Sequence, residues 1–261
     1  LDREGLAAVD GYRCVVLGSH PEYCSTRMRD ALQAFLARGG RVAYLGGNGL
    51  DWRVSAHPEV PGVIEVRREP GFDPAAPPPG EMYHSTSGEH GGQWSKLGFP
   101  EQAVLGIGFV TEGFDVSGAY ERTAASRDPR VAFAFAGVGD GPIGAFGLQG
   151  GGAAGMETDT VSPATPAHAL VIASCTDLVD TYHAPGAWAQ LNMPSLNPGI
   201  RADMVFFETP AGGAVFGVGS IAWLGSLSHR GYDNDVARIT ENVLRRFADP
   251  APFPPPPERH S

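Results

Sequence analysis

The chain has little positive charge and no long apolar run. Nineteen Lys and Arg face twenty-nine Asp and Glu, for a net charge of −10. Phosphate backbones and anionic membranes attract clustered cations. Arg67-Arg68 and Arg245-Arg246 are only isolated pairs, so neither nucleic acid nor membrane is expected as a partner. No uninterrupted apolar stretch reaches the ~18 residues of a membrane-spanning helix, and no signal-peptide pattern opens the chain. Cysteine is scarce and odd in number: Cys14, Cys24 and Cys175. Extracellular disulfide frameworks use even, clustered cysteines, so a reduced, cytoplasmic setting is expected. No internal repeat, Gly-x-Ser-x-Gly elbow or phosphate-binding loop is found. The paired histidines of a zinc-binding helix are also missing.

What is present points to a folded domain rich in loops. Of 261 residues, 42% are hydrophobic, enough to bury a sizeable core. The 36 Gly and 23 Pro imply many turns and close backbone approaches. The opening Leu1-Asp2-Arg3-Glu4-Gly5 reads as the interior of a longer polypeptide, a carboxy-terminal fragment of a larger subunit.

Residues 13–17 read as a short buried strand, broken by Gly18-Ser19-His20-Pro21-Glu22. Residues 25–38 read as a helix: Met28, Ala31, Leu32, Phe35 and Leu36 share one face, Ser25 or Thr26 caps the start, and Gly39-Gly40 stops it. Residues 41–45 form the next strand. Strand, helix, strand with short loops is a βαβ unit, which predicts parallel strands and an open, doubly wound α/β sheet. Further strands are expected at 62–67, 103–110, 131–136 and 168–174, and a hairpin at 203–208 and 214–218. A last helix spans about 234–248, with Val236, Ile239, Val243, Leu244 and Phe247 as its apolar stripe. The organisation is a single α/β domain over 1–249, with an insertion at about 58–136 centred on Pro74, Pro77, Pro78 and Pro79. An extended, mobile Pro-rich tail is expected over 250–261.

In open α/β sheets ligands bind beyond the carboxyl ends of the strands. The first such segment holds His20 and Glu22. Read as lying just before a helix, Glu22 gains charge stabilisation from the free N–H groups and suits a metal ligand beside a proton-handling histidine. The alternative is a helix cap with His20 bonded to a loop. The second, Gly46-Gly47-Asn48-Gly49, offers close backbone approach and an amide that both donates and accepts; it also reads as a turn with a left-handed Asn. A third, Gly150-Gly151-Gly152-Ala153-Ala154-Gly155-Met156-Glu157, delivers one acid, either a general base or the start of a helix or turn. Gly88-Glu89-His90-Gly91-Gly92 with His84 reads better as a structural loop than as a metal site. Cys24 stands at a helix start, which favours a thiolate. Neither Cys24 nor Cys175 has the Gly-flanked turn of a class I glutamine amidotransferase nucleophile.

Several of these segments, in order, resemble one family. They are Gly11-Tyr12-Arg13 through Gly18-Ser19-His20-Pro21-Glu22-Tyr23, then Tyr44-Leu45-Gly46-Gly47-Asn48-Gly49 and Gly88-Glu89-His90-Gly91-Gly92-Gln93-Trp94. Gly152-Ala153-Ala154-Gly155, Gly219-Ser220-Ile221-Ala222-Trp223 and Asn234-Asp235-Val236-Ala237-Arg238-Ile239-Thr240 complete the set. Together they are similar to the carboxy-terminal part of the N,N-dimethylformamidase large (beta) subunit. The resemblance implies a glutamine-amidotransferase-like α/β domain without the cysteine chemistry. It also implies a mononuclear ferric iron, Fe(III), held by two tyrosines and one glutamate, with a histidine nearby. The family's His-x-Glu pair falls on His20 and Glu22, making Glu22 the iron ligand and His20 an acid/base or substrate contact. Asn48 would then bind substrate and Glu157 act as the base.

The family's tyrosine ligands precede this pair by more residues than the nineteen available here. Tyr12 lies at the wrong end of its strand and Tyr23 is a fallback, so the tyrosine ligands are expected upstream of this chain. The implied reaction is hydrolysis of a small N-substituted amide to amine and carboxylate, with a small accessory subunit in a homo- or hetero-oligomer. Two rivals stand beside it. One is a metal-free cysteine amidase using Cys24 or Cys175. The other is a non-catalytic or carbohydrate-associated module with Trp52, Trp94, Trp188 and Trp223 as an aromatic face, although core packing is the commoner use of such residues.

Overall fold

The computed structural model describes residues 1–68, 80–178, 182 and 200–257. In chain order the elements begin with β1 (Cys14–Ser19), β2 (Tyr23–Ser25), α1 (Thr26–Ala37), β3 (Arg41–Gly46), β4 (Trp52–Ala56), β5 (Ile64–Val66) and β6 (Gly92–Gln93). The middle holds α2 (Gln102–Leu105), β7 (Gly108–Gly118), β8 (Glu121–Arg122), β9 (Ala154–Thr160) and β10 (Leu170–Cys175). Last come β11 (Ala202–Glu208), β12 (Ala214–Gly217), α3 (Trp223–Ser226) and α4 (Asp235–Ala248).

The main sheet has the order β1-β3-β12-β11-β10-β8. β1 and β3 run parallel across α1, as the βαβ reading expects, and β12 joins β3 in parallel. From there on every neighbour is antiparallel. A second sheet, β2-β4-β5 with β6 on β4, and a β7–β9 ribbon add further antiparallel pairs. The expected open, doubly wound, mostly parallel sheet is therefore wrong: the molecule has mixed sheets with mostly antiparallel strands and few helices. The cause is connection length. Residues 209–213 join β11 to β12, and so short a loop permits only reversal; parallel neighbours need a crossover of roughly a dozen residues or more.

Alternation along the central strands builds two cores, one on each face of the sheet. Val42, Tyr44, Val205, Phe207 and Val215 point to the side covered by Leu32, Phe35 and Leu36 of α1. Ala43, Leu45, Met204, Phe206 and Phe216 point to the side covered by Val236, Ile239, Val243 and Phe247 of α4. Each such large side chain contributes about 1.5–3 kcal/mol by leaving water.

Other expectations shift. The strand expected at 103–110 is split: α2 occupies its first part, and β7 starts only at Gly108. Residues 131–136 form turns, not a strand. Val131 and Ala134, three apart, are buried while Ala132 and Ala136 are exposed, which is the spacing of a helical turn. The start of the tail is pinned, against the expected mobility. Phe253 is buried against Phe133, Phe206 and Phe247, its N–H bonds Gly212 O, and Arg41 donates to the carbonyls of Phe247 and Ala251. The Pro74–Pro79 prolines lie outside the described residues.

The start of α4 shows how much one side chain can hold. Asn234 Oδ1 accepts the Ala237 N–H at 2.8 Å, and Nδ2 donates to Leu227 O and His229 O at 2.9 and 2.7 Å. Asn234→Ala is expected to cost about 1–2 kcal/mol, the upper end for a lost cap. In urea unfolding this would show as a lower midpoint at unchanged slope; an unchanged midpoint would contradict the cap's weight.

Candidate active site

Two parallel strands end side by side and deliver the first groups. β1 runs out into His20-Pro21-Glu22, and β3 into Gly47-Asn48-Gly49. Backbone bonds lock the two exits together: Gly47 N–H to Ser19 O at 3.1 Å, Leu50 N–H to Pro21 O at 2.8 Å, and Trp52 N–H to Glu22 O at 3.0 Å. The approach is so close that a Cβ on Gly46 would be driven into Ser19 O, and one on Gly47 into Glu157 O. β9 arrives from outside the main sheet. The turn after β12 ties it down through a Thr158–Ser220 bridge, with Asp159 N–H on Gly219 O at 3.1 Å and Ile221 N–H on Glu157 O at 3.3 Å.

The side chains of His20, Glu22, Asn48 and Glu157 meet there. His20 Nε2 lies 2.9 Å from Glu157 Oε2 and 3.3 Å from Glu22 Oε2. Asn48 Nδ2 donates to the same Glu157 oxygen at 2.7 Å. His20 is 35% exposed, against 16% for Glu22 and 11% for Glu157, so the cluster opens to solvent at the imidazole. Asn48 is buried in the left-handed region at φ 49°, as its turn reading expects, and its Oδ1 has no hydrogen-bond partner. Glu157 starts no helix; it lies within β9.

Charge follows from this packing. The hydrogen bond to Glu157 raises the His20 pKa, against a smaller opposing effect of burial. Burial raises Glu22, with His20 pulling the other way. The helix-terminus reading of Glu22 is a correction: β2 intervenes, Ser25 is the N-cap that accepts the Met28 N–H, and burial dominates. Tyr23, the fallback ligand, is 42% exposed beside Glu22. An imidazole held between two carboxylates can receive and return a proton at Nε2, and one of those carboxylates can take a proton from water.

The sequence reading missed two groups behind Asn48. Asp159 Oδ1 accepts the Asn48 N–H at 2.8 Å, and Asp159 Oδ2 accepts the Tyr44 hydroxyl at 2.6 Å. One signal was available: Glu157 and Asp159 are two apart on a strand and so share a face.

The remaining candidates separate from this cluster. Glu89 binds Arg53 and Thr26, and buried His84 contacts Ser55, as a structural loop would. Burial pushes the Cys24 and Cys175 thiols up to about 12, so the thiolate expected of Cys24 at a helix start does not form near neutral pH. Trp52, Trp94 and Trp223 are buried, leaving no aromatic face among them; Trp188 lies outside the described residues. Among the described residues no three His, Cys, Asp or Glu side chains are arranged to hold a metal ion. Glu22, a hard-oxygen carboxylate beside His20, is the side chain of this cluster suited to a ferric ion.

Comparison with known proteins identifies the family. Residues 1–235 match the family model described as N,N-dimethylformamidase beta subunit-like, C-terminal. The chain is 41% identical to an N,N-dimethylformamidase beta subunit of Paracoccus aminophilus and 40% identical to one of an Alcaligenes species, each over 97% of the chain. It spans 34% of the length of either relative.

Proposed function

Since the chain belongs to the N,N-dimethylformamidase beta-subunit-like C-terminal family, we propose that it forms part of an amidohydrolase acting on a small, linear N-substituted amide such as N,N-dimethylformamide. The observation that carries the reading is His20 Nε2 set between Glu22 and Glu157 at the carboxyl ends of two parallel strands. The relatives are named beta subunits, which supports a partner subunit and a larger assembly.

Hydrolysis needs water to add to the carbonyl carbon, the C–N bond to break, and the departing nitrogen to gain a proton. Glu157, steadied by Asn48, takes a proton from the attacking water. His20, exposed at the mouth and with its protonated form favoured by its carboxylate neighbours, returns one to the amine through Nε2. Glu22 is the ligand this chain would contribute to a ferric iron whose other ligands lie outside the described residues. When bound, such an iron supplies Lewis-acid polarisation of the amide oxygen.

Glu22→Ala in the full-length protein is expected to remove both iron, by metal analysis, and dimethylformamide hydrolysis. An unchanged iron content in that variant would end the ligand assignment.

A further inference from the structure

Asp159 and Tyr44 lie directly behind the site, wholly buried, and the hydrolysis scheme leaves them unused. A carboxyl group taken this far from water without a cation costs several kcal/mol unless its oxygens are bonded. Here each oxygen has a donor: the Tyr44 hydroxyl at 2.6 Å on one and the Asn48 N–H at 2.8 Å on the other. The group therefore grips both ends of the turn that follows β3, with Tyr44 before it and Asn48 on it.

What this grip holds is a backbone conformation that a non-glycine residue seldom adopts. Asn48 sits at φ 49°, a strained state that persists only when its surroundings over-determine it. With the main chain fixed so, Nδ2 reaches Glu157 Oε2 at 2.7 Å, and Oδ1 is left buried and unpartnered. The Asn48 amide is therefore committed to Glu157, and its aim depends on the main chain that Asp159 holds.

We propose that Asp159, braced by Tyr44, is a positioning residue that locks Asn48 so that its amide steadies Glu157 through Nδ2. The inference rests on the hydrolase reading of the site. Asp159 touches neither substrate nor water; its effect passes through Asn48.

The test is a mutant cycle in the full-length protein, reading dimethylformamide turnover. Asp159→Ala is expected to lower kcat by about 100-fold with KM changed less than about threefold, the scale of a misplaced catalytic group. Asp159→Asn keeps an acceptor for the Asn48 N–H and should recover kcat to within about fivefold of the original. The double variant Asn48→Ala/Asp159→Ala should be no slower than Asn48→Ala alone, because residues acting through one another are not additive. Losses that multiply in the double variant, or an Asp159→Ala protein with unchanged kcat, would overturn the proposal. If Asp159→Ala fails to fold, Tyr44→Phe enters the same cycle, with the same two outcomes. Full activity in both Asn48→Ala and Glu157→Gln would instead bring down the hydrolase reading, and this inference with it.

Discussion

Glu157→Gln in the full-length protein is expected to slow dimethylformamide hydrolysis by about 10²–10⁴-fold, the range a positioned general base contributes. One oxygen of Glu157 serves both neighbours, His20 Nε2 at 2.9 Å and Asn48 Nδ2 at 2.7 Å. Glutamine at that place accepts a hydrogen bond but takes no proton from water, and it no longer favours the protonated form of His20. The fold should survive. The structural work at position 157 is done by the main chain, which pairs across the ribbon with Glu112 and accepts the Ile221 N–H. Circular dichroism and the thermal midpoint should therefore match the parent while kcat collapses. A kcat within about threefold of the parent would remove Glu157 from the chemistry.

The second large effect concerns stability and lies away from the proposed chemistry. Glu101 begins the short helix α2 and is buried, with Oε1 lacking any partner. Burial pushes its carboxyl from 4.5 up to about 8, and the nearby acids Asp51 and Asp159 add to the rise. Backbone amides of Ser95 and Glu101 itself pull the other way, and Arg29 lies within electrostatic reach. The sign follows from proton counts. Below about pH 4.5 both the folded and unfolded chains hold this proton, and the group is neutral in its effect. Between 4.5 and 8 the unfolded chain releases the proton while the folded chain keeps it, so stability falls as pH rises. Above 8 the whole cost is present. Glu101→Gln, neutral throughout, should therefore be more stable than the parent by about 3–5 kcal/mol at pH 8 to 9 and equal to it near pH 4. Urea unfolding at the two pH values measures this. A gap that does not widen with pH would show that Glu101 is ionised in the folded protein.

Much of the local structure was legible because neighbouring residues encode it. The apolar face of α1 and its Ser25 cap, the continuous apolar run of β3 and the stripe of α4 each repeat at the period of their element. The glycines at 46 and 47 announced a close approach, and the strand-end rule led to His20, Glu22 and Asn48. Strand direction beyond β12 was misjudged, although the hairpin that reverses it was itself foreseen: the five-residue loop should have outweighed the opening βαβ unit. The short apolar run at 131–136 misled because length and hydrophobicity alone do not separate a strand from a helical turn, and only the burial of Val131 with Ala134 shows the turn.

The sequence by itself determined the two long helices α1 and α4, the parallel pair at the start, the family and the identity of the residues at the strand ends. Only the tertiary structure decided that most strands run antiparallel, that burial rather than a helix end governs Glu22 and Cys24, and that Asp159 stands behind Asn48. The division has a physical cause. Periodicity and caps act between residues a few positions apart, whereas Asn48 and Glu157 are 109 positions apart and meet only because a turn after β12 pins β9 beside the sheet. Desolvation likewise depends on which distant segments cover a group, a property that no short stretch of sequence carries.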